Sequence, residues 1–133
     1  MLLNIKTGRN VPAVPMRDIV ILATSLPRLV SQEIPFVYTD RHAYLIAARF
    51  SSDLRDLAWI DWKILRESDF RHDPNDGGKM ERYQAEALVH HRVPVEALAG
   101  MICYDTARQL HLESLVAQAG HATAVVARPD YYF

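Results

Sequence analysis

Apolar positions come along this chain in short runs, each ended by a turn signal. Met1 to Lys6 reads as a short first strand, and Lys6 to Pro15 as a loop, because Gly8, Asn10, Pro12 and Pro15 punctuate it. Asp18 to Thr24 carries Ile19-Val20-Ile21-Leu22-Ala23, a continuous rather than alternating run, as in a strand covered on both faces. Ser25 can cap a short helix through Val30, with Leu26, Leu29 and Val30 on one face. Pro35 to Tyr38 predicts a second strand, followed by a helix capped by Thr39 or Asp40 and carrying Tyr44, Leu45, Ala47, Ala48 and Phe50. Ser52 and Asp53 open a further helical stretch with Leu54, Leu57, Ala58, Ile60 and Trp62 as its apolar members, and Trp59 and Trp62 read as core.

Beyond Glu67 the chain turns polar, and Asp73-Pro74-Asn75-Asp76-Gly77-Gly78 marks a loop. Gln84 to His90 predicts a strand, Pro94 to Leu98 a single turn and Met101 to Tyr104 a strand. Asp105 to Ala119 predicts a helix stopped by Gly120, with Leu112, Leu115, Val116 and Ala119 on one face. Thr123 to Ala127 is a last strand before the aromatic Tyr131-Tyr132-Phe133, expected over the sheet edge. Strands and helices mix without a repeat, which predicts an α+β fold: a mixed, twisted or split sheet with flanking helices.

Composition narrows the picture. The 133 residues suffice for one domain, 1–133, with an ordinary globular share of hydrophobic residues, 50%. A formal net charge of -1 gives no global attraction to nucleic acid, so any DNA contact must come from a local patch. The lone Cys103 lies in an apolar run and predicts a buried, inert thiol. No apolar stretch has membrane-spanning length, and the expectation is a cytoplasmic protein with no membrane contact.

The chemistry concentrates around Glu86. It stands among Ala85, Ala87, Leu88 and Val89, where a carboxylate is costly unless it is paired or reactive. By pattern alone, the favoured reading is a surface glutamate on the solvent face of a half-buried strand. His42 follows Thr39-Asp40-Arg41 at a strand end, and could meet a phosphate or a nucleotide with Arg41 beside it. Helix capping explains the same residues equally well. Lys79 and Arg82 precede Glu86, while His90, His91 and Arg92 follow it. This cationic fringe could track the phosphates of a single strand, with Tyr83 stacking on a base. Charge runs are, as a rule, solvated faces. Adjacent residues on a strand point to opposite faces, so His90 and His91 do not predict a metal site.

Lys79-Met80-Glu81-Arg82-Tyr83-Gln84-Ala85-Glu86-Ala87-Leu88-Val89 resembles the DarT family of DNA ADP-ribosyltransferase toxins. The likeness extends to Ile34-Pro35-Phe36-Val37-Tyr38-Thr39-Asp40-Arg41-His42-Ala43, to Val93-Pro94 and to Arg128-Pro129-Asp130-Tyr131-Tyr132-Phe133. The resemblance implies an ADP-ribosyltransferase fold with Glu86 as the catalytic residue, acting on NAD and on a base, often thymine, in single-stranded DNA. It implies a macrodomain antitoxin that removes the mark. It also places the stretch around Glu86 at the active site, which favours Lys79, Arg82 and Tyr83 as DNA contacts beside the candidates Arg41 and His42. Family members carry a further N-terminal segment with contacts to NAD. The chain is therefore expected to be the C-terminal portion of such a domain, and weakly active by itself. The other expectation is an inert remnant that binds nucleic acid or antitoxin.

Overall fold

A computed structural model describes residues 2–8, 11–67 and 69–132, with side chains from Ile5 onward. The chain divides into two compact units, Met1–Arg28 with Val93–Phe133, and Leu29–Arg92.

In the first unit the opening residues form a helix, α1 (Leu2–Thr7), and not the expected strand. Leu and Lys are strong helix formers, and Gly8 stops the helix at φ 71°. β1 (Ile21–Ala23) is shorter than its apolar run, since Met16–Asp18 form a 3-10 turn. Leu22 is exposed, so the strand is not covered on both faces. α2 (Leu26–Ser31) begins as expected, with the Arg28 N–H donating to Ser25 Oγ.

β5 (Gly100–Cys103) pairs antiparallel with β1 and parallel with β6 (Val125–Ala127), in the order β1-β5-β6. A parallel pair needs a crossover, which α5 (Thr106–Gln118) supplies. Asp105 caps α5 by accepting the Arg108 N–H at 2.8 Å, and Gly120 ends it at φ 74°. The exposed α5 residues include Leu115, so its inward face is narrower than the periodicity predicts. Cys103 is buried, and burial together with Asp105 pushes its thiol pKa up, as an inert thiol requires. Tyr132 is buried with its hydroxyl 2.7 Å from the Ile102 carbonyl and 2.9 Å from that of Ile19, while Tyr131 is exposed. Phe133 lies outside the described residues.

In the second unit β2 (Phe36–Thr39) is the middle strand of an antiparallel sheet, between β3 (Phe50–Ser51) and β4 (Ala87–Val89). Phe36, Tyr38 and Thr39 are buried. The helix expected after β2 is absent. Residues 40–49 form a hairpin loop with hydrogen-bonded turns, His42 C=O to Leu45 N–H and Leu45 C=O to Ala48 N–H. Asp40 accepts from Arg49 at the far end of the loop instead of capping a helix, so tertiary pairing overrides local propensity. Leu54–Trp59 is a 3-10 segment capped by Asp53, followed by α3 (Trp62–Glu67), and Ile60 and Ile64 are buried. Trp59 and Trp62 are partly exposed rather than core. The polar loop then leads to α4 (Lys79–Arg82), a single turn ahead of Glu86. Each unit thus holds its own three-stranded sheet, the split form of the expected α+β arrangement.

Candidate active site

Glu86 immediately precedes β4, one position outside the strand in which it was expected. Its carbonyl still accepts the Thr39 N–H at 2.9 Å, and its own N–H donates to Thr39 Oγ1 at 3.3 Å. The backbone of Glu86 is therefore tied to the end of the central strand, a rigid platform.

The side chain keeps 37% of its surface exposed and lies against the 40–49 loop. Oε1 accepts the Ala43 N–H at 2.8 Å and lies 3.3 Å from His42 Nδ1. Oε2 receives no hydrogen bond from the described residues. One oxygen is held and the other is open, which suits a carboxylate that must keep its position yet still act on a bound group. His42 Nδ1 also lies 3.3 Å from the Tyr44 amide nitrogen. One nitrogen cannot accept that amide hydrogen and donate to Glu86 at the same time. The ring either takes the Nε2–H tautomer and accepts from Tyr44, or carries a proton on Nδ1 and donates to Glu86.

The expected cationic fringe is largely committed to carboxylates. Lys79 is only 8% exposed and pairs with Asp69 at 3.1 Å, so it does not present its charge to a phosphate. Arg82 bridges Asp61 at 3.0 Å and Asp76. Hydrogen bonds from Arg71 and then Lys79 hold the Asp69 carboxyl well below the usual range, and Arg82 lowers that of Asp76. Arg41 lies 3.4 Å from both Asp40 and Glu81. Tyr83 stacks on Phe70 with ring centroids 4.7 Å apart, and its buried hydroxyl has no hydrogen-bond partner. In this state its ring is occupied by a neighbour rather than offered to a base.

His90 and His91 do not point apart. His91 takes φ 62°, and the two rings approach to 3.7 Å. Among the described residues no group of three or more His, Cys, Asp or Glu side chains is arranged to hold a metal ion.

The loop residues were missed from sequence. Tyr44, assigned to a helix core, is 90% exposed one position after the amide that holds Glu86, and Ile46 is fully exposed. Two large apolar side chains in open solvent beside a charged site are the signal, and it is visible only once the helix is gone.

Residues 1–133 match the family model described as "ssDNA thymidine ADP-ribosyltransferase, DarT". The chain belongs to the DarT family. A DNA ADP-ribosyl transferase of Escherichia coli O127:H6 is 42% identical over 134 residues, which take in 100% of this chain and 62% of that relative. One from Thermus sp. strain 2.9 is 30% identical over 84% of this chain and 53% of its own length. The chain spans about half to two thirds of the length of the curated relatives it matches.

The solved structure of Thermus sp. 2.9 DarT in complex with carba-NAD+ superposes with a TM-score of 0.88 at 27% identity, over 99% of this chain and 67% of that one. The same DarT has been solved with ADP-ribosylated single-stranded DNA, with the same TM-score and 63% of that chain covered. The resemblance to the DarT family and the expected ADP-ribosyltransferase fold are both borne out. No helix among the described residues is long and apolar enough to cross a membrane.

Proposed function

We propose that this chain carries the catalytic glutamate of an NAD-dependent DNA ADP-ribosyltransferase, and that the enzyme transfers ADP-ribose to thymine in single-stranded DNA. The observation that carries the proposal is the anchored Oε1 of Glu86 beside His42. It occurs in a chain 42% identical to a DNA ADP-ribosyl transferase.

Transfer requires the bond between nicotinamide and ribose to break with its electron pair leaving on nicotinamide. A base nitrogen then bonds to the same ribose carbon and gives up its proton. Positive charge develops on the sugar as the bond lengthens. Glu86, fixed by Ala43, holds the sugar through its open oxygen and stabilises that charge. His42 lies beside the carboxylate and reaches toward the nucleotide. Tyr44 offers an exposed face on which a base can stack. Arg41, Arg82 and Tyr83 reach DNA only after exchanging their present partners, and Lys79 acts as a structural cation. The implied partners are single-stranded DNA and a macrodomain antitoxin that removes the mark, in the cytoplasm.

The test is incubation with NAD+ and thymidine-containing single-stranded oligonucleotides, read by mass spectrometry. It uses the chain itself and a hybrid in which residues 1–133 replace the matched segment of the Escherichia coli relative. An ADP-ribose adduct on the oligonucleotide with the hybrid supports the proposal. A folded hybrid that binds DNA without modifying it would instead support a binding module.

A further inference from the structure

We infer that Asp40 is a positioning residue for Glu86: by joining the two ends of the 40–49 loop, its carboxylate holds the Ala43 N–H where it fixes one oxygen of the glutamate. The inference rests on the reading of Glu86 as the catalytic carboxylate.

The loop leaves β2 at Thr39 and returns to β3 at Phe50, residues that face each other in the antiparallel register. Asp40 and Arg49 are its first and last members. Asp40 is 3% exposed, and a carboxylate taken so far out of water must be fully partnered. Its Oδ1 accepts the Arg49 backbone N–H at 3.0 Å, and its Oδ2 accepts Arg49 Nε at 2.9 Å, a grip on both the main chain and the side chain of one residue. Arg49 is fixed in turn, with its guanidinium 5.0 Å from the Trp59 ring centroid and directed at the Trp59 carbonyl.

The near end is pinned separately. Thr39 Oγ1 donates to the Arg41 carbonyl, and the His42 N–H donates to the Glu81 carbonyl at 3.3 Å. Between these anchors lies Ala43, whose N–H points at Glu86 Oε1. A ten-residue loop without such closure would sample many arrangements, whereas a reacting carboxylate tolerates displacement of only a fraction of an ångström. Burial of Asp40 raises its pKa, but the hydrogen bonds from Arg49 together with the hydrogen bond and charge of Arg41 outweigh it and hold the carboxyl below its ordinary value.

The experiment follows the Ala43 amide by two-dimensional 1H–15N NMR on the full chain at neutral pH. In the parent, Glu86→Gln should move the Ala43 resonance, because it removes the charge of the carboxylate that Ala43 donates to. In an Asp40→Asn background the same substitution should move it by about half as much or less, and Ala43 amide exchange should speed by about tenfold or more. Resonances of Phe36–Thr39 and Ala87–Val89 should stay in place. Arg49→Gln, at an exposed position, should do the same and serves if Asp40→Asn does not fold. An Ala43 amide that responds to Glu86→Gln and exchanges as in the parent in these variants overturns the inference, as does a parent amide indifferent to Glu86→Gln. Oligonucleotide modification by the hybrid is read separately, so a failed clamp leaves the reading of Glu86 standing.

Discussion

Glu86 combines one restrained oxygen with one open oxygen, and its restraint comes from a main-chain N–H rather than from a charge. A neutral donor fixes position without forming a strong ion pair that would have to be broken when substrate arrives. Glu86 was singled out in sequence by the family resemblance, since the apolar pattern alone favours a solvent-facing glutamate. Its partners were not, because nothing local in Ala43-Tyr44 marks a backbone amide as a ligand. The 90% exposure of Tyr44 carries a prediction at this scale. Tyr44→Ala should weaken binding of single-stranded oligonucleotides by about 1–3 kcal/mol, the worth of one stacked base, with no change in melting temperature. Fluorescence anisotropy checks it, and an unchanged affinity would take Tyr44 out of the interface.

Elements built from local grammar were the readable ones: the Ser25 cap of α2, the turn after Pro94, and α5 between Asp105 and Gly120. Those decided by distant partners were not. Residues 40–49 have helical composition, yet the chain there loops because Asp40 and Arg49 meet. Lys79 and Arg82 looked like a phosphate fringe, yet acidic residues of 61–76 claim them. Lys79→Ala should therefore lower the melting temperature by a few degrees and leave the salt dependence of DNA binding unchanged. A flatter salt dependence would return Lys79 to the DNA interface.

The Asp40 clamp has a pH signature. Its folded pKa lies below the ordinary carboxylate value, so its contribution to stability is fully present above that value and is lost as pH falls through the lowered one. Asp40→Asn should cost about 1.5–3 kcal/mol at neutral pH, the worth of a hydrogen bond to a charged group. Denaturant titrations of both proteins should converge in strong acid. A difference that persists there would mean that the carboxylate charge is not what closes the loop.

At the scale of the whole molecule, the sequence pattern disclosed an α+β fold with a mixed, twisted or split sheet, but not its division into two units, each with a three-stranded sheet. Strand partners are set by long-range register, which short apolar runs do not encode. The proposed site lies within the Leu29–Arg92 unit, where β2 and the start of β4 hold Glu86 and the loop completes its surroundings. The central claim is that this unit carries the glutamate of a DNA ADP-ribosyltransferase. The direct measurement is the single-turnover rate of oligonucleotide modification by the hybrid with the Escherichia coli relative, comparing Glu86 with Glu86→Gln, which keeps size and removes charge. Glu86→Gln should lower the rate by roughly 10²–10³-fold, about 2.7–4 kcal/mol of transition-state stabilisation, with circular dichroism and melting temperature unchanged. A folded Glu86→Gln hybrid that turns over within a few-fold of its parent would contradict that claim.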